Sequence, residues 1–70
     1  MNTIIPIGSL SYAQRARRIL RARGIWARLV KDEASRDTDG CVYAVEVRER
    51  DNERALTELR AAGILHRVRR

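Results

Sequence analysis

Alternation and helical spacing divide the chain into short elements. "TIIPI" (3–7) is apolar, β-branched and closed by Gly8-Ser9, so it reads as a strand. Pro6 donates no ladder hydrogen bond, which puts this strand at an edge or gives it a bulge. Ser11, with Gln14 three residues on, forms a capping-box pattern at a helix start. Tyr12, Ala13, Ala16, Ile19 and Leu20 then recur at helical spacing, while Arg15, Arg17, Arg18 and Arg21 fall outside that stripe. Gly24 ends the helix at the left-handed C′ position, and arginines in its last turns complement the helix dipole. "IWARLV" (25–30) is a second strand, followed by a polar loop, 31–40. "CVYAVEV" (41–47) is a third strand of high β propensity. Asp51 or Asn52 caps a second helix. Ala55, Leu56, Leu59 and Ala62 form its apolar stripe, Gly63 ends it, and "ILHRV" (64–68) is the last strand.

An internal echo supports this division. "LRARGIWAR" (20–28) and "LRAAGILHR" (59–67) align at an offset of 39 residues and match at six of nine positions. Each copy reads as helix end, glycine stop, then strand. Two such halves, each preceded by a strand, give an α+β fold. The expected plan is ferredoxin-like, βαββαβ (a split βαβ), with a four-stranded antiparallel sheet and two helices on one face.

Alternation assigns the faces. Tyr43, Val45 and Val47 suit the side under the helices, as do Ile25, Ala27 and Leu29, and Ile64, His66 and Val68. Val42, Ala44 and Glu46 share the open side with Trp26, Arg28, Leu65 and Arg67. Such a face exposes an apolar patch, which fits a homodimer or partner surface; the alternative is a patch covered by the stems of Arg28 and Arg67.

Seventy residues fit a single domain, 1–70, with a small core. The single cysteine, Cys41, cannot form an internal disulfide, and no His/Cys cluster has metal-ligand spacing. "MNTIIPIGSL" has neither a basic start nor a long apolar stretch, so it does not read as a signal peptide, and no apolar run is long enough to span a membrane. An unpaired thiol without export signals fits a reducing cytoplasm. The net charge of +6 comes from fourteen arginines and one lysine against nine acids. It fits docking to an acidic protein or a nucleic acid, or a general use of Arg in place of Lys; the acids interspersed through the second half favour the last.

In the expected topology the first and third strands are neighbours. Cys41 then sits beside Gly8 and Ser9, close to the start of the first helix. Free N–H groups and the dipole there favour an anion, and thiolate is the reactive form of cysteine. Gly8 and Gly40 keep the approach open, while Asp37 and Asp39 disfavour a second negative charge. Free cysteine is also among the most buried residue types, so a purely structural Cys41 stands as the alternative.

These residues resemble a family of small bacterial selenium/sulphur carrier-like domains of unknown function. The resemblance covers nearly the whole chain. It rests on "IPIGS" (5–9), "YAQRARRILRARGI" (12–25), "RLVK" (28–31), the Gly-Cys pair in "DGCVY" (39–43), and "AAGI" (61–64). Ala44 departs from it, since the family often has glycine after the aromatic. The resemblance implies that Cys41 accepts a sulphur or selenium atom as a persulfide or selenosulfide. It also implies donor and acceptor proteins as partners; no cofactor, metal or membrane is expected. Gly40, Gly8, Ser9 and Ser11 would form the thiol's surroundings, and Arg15, Arg17, Arg18, Trp26 and Arg28 would meet partners.

Other classes make different demands. A disulfide oxidoreductase of the CxxC type needs a second cysteine. His66, alternating with Ile64 and Val68, suits the core better than catalysis. RNA recognition on such a sheet needs stacking aromatics on the third strand, where only Tyr43 stands, facing the core. Backbone phosphate binding by the five carboxylate-free arginines of 15–23 is a weaker reading than a solvated face. A non-catalytic interaction or regulatory module, docking through the Trp26 face, is the main alternative to a carrier.

Overall fold

The computed structural model describes residues 1–32 and 42–64. Strand β1 (Asn2–Gly8) leads into helix α1 (Leu10–Ala22), then β2 (Ala27–Asp32), β3 (Val42–Arg48), a single 3₁₀ turn (Glu49–Asp51) and helix α2 (Asn52–Ala61). The sheet is antiparallel in the order β1-β3-β2, so β3 is inserted between the two strands that α1 connects.

Among the described residues, the four-stranded sheet expected from the sequence is corrected to this three-stranded one, under an α+β arrangement with two helices. The reason lies in what the echo encodes. Gly24 and Gly63 both adopt positive φ, at 79° and 78°. Ile25 N–H donates to Leu20 O, and Ile64 N–H donates to Leu59 O, each at 2.9 Å. Gly24 N–H reaches Arg21 O and Gly63 N–H reaches Arg60 O, each at 3.0 Å. This paired closure is the Schellman motif, and its apolar clasp joins the residue after the glycine to one in the last helical turn. Among the described residues, the echo is therefore one of helix exits. Ile64 belongs to the second exit, and the rest of "ILHRV" lies outside the described residues, as do Leu65, His66 and Arg67.

The same closure shifts β2. Ile25 and Trp26 belong to the α1 exit, and the ladder opens at Ala27, opposite Val47. The strand then runs on through Lys31 and Asp32, which the sequence assigns to the loop.

Among the described residues β1 is an edge strand, and Pro6 lies in it next to a bulge. Pro6 pairs with Ala44 but Gly8 pairs with Tyr43, leaving Ile7 as the extra residue. Both roles expected of this proline are met at once.

Ile5, Ala27, Val45 and Val47 from the sheet, with Ala16, Leu20, Ala55 and Leu59 from the helices, form one buried cluster closed by Ile25 and Ile64. Both helices thus cover the same sheet face. Tyr12 was expected in this stripe but is exposed. Ala44 is fully buried although it points to the open face, where Pro6 and Val30 flank it in register.

Gly24→Ala is expected to destabilise the fold by about 1–2 kcal/mol, the cost of a left-handed alanine. No atom lies within 4 Å of the added Cβ, so the loss comes from the backbone alone. Gly24→Asn should recover part of it. Urea unfolding midpoints of the three proteins provide the check.

Candidate functional site

The chain leaves β1 through Gly8, whose φ of 129° is closed to most side chains without strain. Ser9 follows in extended conformation (φ −71°, ψ 158°) and is the N-cap of α1. Its Oγ accepts from Tyr12 N–H at 3.2 Å, and its carbonyl accepts from Ala13 N–H at 2.9 Å. The expected cap at Ser11 is therefore corrected to Ser9. Ser11 sits inside the first turn, exposed, where its backbone is already helical and its side chain is past the cap position. The second helix departs from expectation in a similar way. Asp51 holds the cap position with φ −99° and ψ 3°, and its side chain makes no capping bond. The 3₁₀ turn before it keeps the backbone from the extended shape a cap requires.

The first turn of α1 has no acidic residue. Among the described residues, the N–H groups of Leu10 and Ser11 meet no acceptor. The positive end of the helix dipole is thus left without a carboxylate of its own helix.

Tyr43 pairs with Gly8 on one side and Lys31 on the other. The first residues of β3 consequently lie between the ends of β1 and β2, at the end of the sheet where α1 begins. Val42 opens β3, and Cys41 precedes it directly in the chain. Cys41, Gly40, Asp37 and Asp39 lie outside the described residues.

The α1 arginines divide into groups that the sequence reading had merged. Gln14, Arg17, Arg18 and Arg21 line a depression of about 400 Å³. Their i, i+3, i+4, i+7 spacing is the signal that they share one face. Arg15 lies a third of a turn off this stripe, exposed. Arg21, not among the residues expected to meet partners, belongs with Arg17 and Arg18. Among the described residues no ion pair neutralises any of these four arginines, whereas Arg23 pairs with Glu58 at 3.2 Å.

On the open sheet face, Trp26 is 40% exposed and the Arg48 guanidinium lies 4.9 Å from its ring centroid. Arg28 donates from Nε and Nη2 to one oxygen of Glu46, at 3.0 and 2.7 Å. Asn2 Nδ2 donates to the other oxygen at 3.1 Å. The hydrogen bonds from Asn2 and then Arg28 hold the Glu46 carboxyl below the usual carboxylate range. Arg28 is therefore committed within the sheet. Ile4 and Pro6 are exposed on the same side of β1.

Among the described residues, no helix is long and apolar enough to cross a membrane. No group of three or more His, Cys, Asp or Glu residues there is placed to hold a metal ion. No family model, curated protein or solved structure matches the chain.

Replacing Ser9 by Ala should cost about 0.5–2 kcal/mol, since it removes the capping acceptor. Ser11→Ala should stay within roughly 0.5 kcal/mol, as an exposed change away from the cap. Thermal or urea unfolding of the pair decides which serine caps α1.

Glu46 has a lowered pKa in the folded state. Its contribution is present above the unfolded carboxyl value, about 4.3, and is lost as pH falls through the lower folded value. Wild-type stability should therefore fall across that acid window, and the fall should be shallower in Glu46→Gln. Unfolding midpoints measured as a function of pH test this.

Proposed function

We propose that the chain is a carrier that holds a sulphur or selenium atom on Cys41, as a persulfide or selenosulfide, and passes it between partner proteins. One observation supports this above the others. The pairing of Tyr43 with Gly8 brings the start of β3, directly after Cys41, to the end of the sheet where α1 begins with no acidic residue in its first turn. Such an environment favours an anion, and a thiolate is what sulphur transfer requires.

The chemistry needs one cysteine. The Cys41 thiolate attacks the outer sulphur of a donor persulfide. A Cys41–sulphur bond forms, the donor's sulphur–sulphur bond breaks, and its electron pair leaves with the donor thiolate. The proton on the transferred sulphur exchanges with solvent. An acceptor nucleophile later repeats the attack and restores the Cys41 thiolate. No external oxidant or reductant enters. Ser9 and Gly8 set the start of α1, with Ser11 in its first turn. A reducing cytoplasm is the compartment in which such a thiol stays free.

Incubation with a cysteine desulfurase and cysteine should add one sulphur atom to Cys41, detected by mass spectrometry of the peptide and removed by reductant. Cys41→Ser should abolish the adduct. Iodoacetamide should label Cys41 in the native protein, with an apparent pKa below the free-thiol value of about 8.5. A Cys41 that reacts only after denaturation would overturn the carrier reading.

A further inference from the structure

The basic face of α1 is not used by the thiol chemistry, yet it is laid out along the line that leads to it. Leu10, Gln14, Arg17, Arg18 and Arg21 fall on one stripe at offsets of 4, 7, 8 and 11 residues from Leu10. At about 1.5 Å per residue the stripe is roughly 16 Å long and one helix wide. Leu10, at its start, is 41% exposed. Arg17, Arg18 and Arg21 are like charges one turn apart, an arrangement that weakens an isolated helix. The helix has no carboxylate to offset it, while α2 intersperses Glu53 and Glu58 with Arg54 and Arg60.

We propose that this stripe docks the protein that gives Cys41 its sulphur or selenium or takes it away, a partner presenting a row of carboxylates beside an apolar contact. The proposal rests on the carrier reading. Guanidinium groups recognise carboxylates through paired hydrogen bonds, and carboxylates at i, i+4 and i+7 of an acidic helix match the spacing of Gln14, Arg18 and Arg21, with Arg17 beside them. The depression of about 400 Å³ between Gln14, Arg17, Arg18 and Arg21 gives that row a seat.

The apolar end decides between partner classes. An exposed leucine in line with arginines suits the mixed core and rim of a protein interface. A nucleic-acid backbone offers nothing for Leu10 to bury against. A duplex would also call for a basic surface wider than one helix, and here Arg23 is tied to Glu58. The stripe also has a direction. It begins at the end of α1 beside which β3 starts, so a partner seated along it reaches toward that end of the sheet.

The test uses the full chain and a fluorescein-labelled amphipathic helical peptide with glutamates at i, i+4 and i+7 and a leucine one turn beyond. Anisotropy titration should show salt-sensitive binding. Arg17→Glu, Arg18→Glu and Arg21→Glu together should weaken it by about tenfold or more. The milder Arg→Gln triple should weaken it in the same direction, with far-UV circular dichroism confirming that both variants fold. Leu10→Ala should give a smaller loss that added salt does not remove. Equal binding by wild type and charge-reversed chain, or tighter binding to a short DNA duplex than to the peptide, would overturn the proposal. A separate arm treats wild type with glutathione persulfide. A Cys41 that takes no sulphur from this small donor refutes the carrier reading, whatever the peptide shows.

Discussion

The closure of α1 at Leu20, Gly24 and Ile25 is the constraint on which the rest of the structure turns. One left-handed glycine lets two exit hydrogen bonds form and brings Ile25 back over Leu20. Both side chains are then buried, and the chain leaves in the direction that starts β2 against β3. The exit is also where α2 is attached. Arg54 donates to the carbonyl of Arg23 at 3.1 Å, and Arg23 pairs with Glu58. Carbonyls left open at a helix end are normally met by solvent or caps; here the second helix supplies a donor. The glycine thus orders the sheet below and the helix beside it.

Much of this was legible in the chain because each signal had a local cause. Glycine at C′, the alternation in β3 and the bulge around Pro6 are properties of residues and their immediate neighbours. The echo was legible too, but its meaning was not. Five of the six matched positions encode the helix exit, since the motif spans only Leu20 to Ile25 or Leu59 to Ile64. Whether a paired strand follows depends on an edge elsewhere in the sequence, and no local pattern specifies it. The same distinction explains the caps. Ser9 and Ser11 are both good capping residues, and the choice between them is made by the turn at Gly8, where β1 ends.

The candidate site was legible in part for the same reason. The neighbouring of β1 and β3 follows from the order of elements, and the Gly8–Tyr43 pairing realises it. The grouping of the arginines is finer than composition shows. Five arginines in 15–23 look like one basic patch, but helical geometry separates Arg15, engages Arg23 with Glu58, and leaves Arg17, Arg18 and Arg21 together. On the open sheet face the separation works in the other direction. Trp26 and Arg28 look like partner-binding residues, yet Arg48 packs over the indole and Glu46 takes both Arg28 donors. Interactions within the sheet satisfy much of what an incoming partner would use.

Charge then gives the two sides of the molecule different tasks. On the open sheet face Arg28 is paired with Glu46, so the field of that pair is short-ranged and changes little on approach of another surface. Helix α1 does the reverse. Its first turn has no acid, its middle arginines are in no ion pair among the described residues, and its exposed Leu10 lies at the positive end of its dipole. For a thiol near that end, the helix favours the anion while Asp37 and Asp39, close in sequence, oppose it. An acidic partner lying along α1 would shift this balance by neutralising the arginines. In the proposed carrier reaction the Cys41 thiolate is the attacking group on loading and the leaving group on release, so a docked acidic partner would lessen the helix's assistance to both steps while holding its own reacting group close.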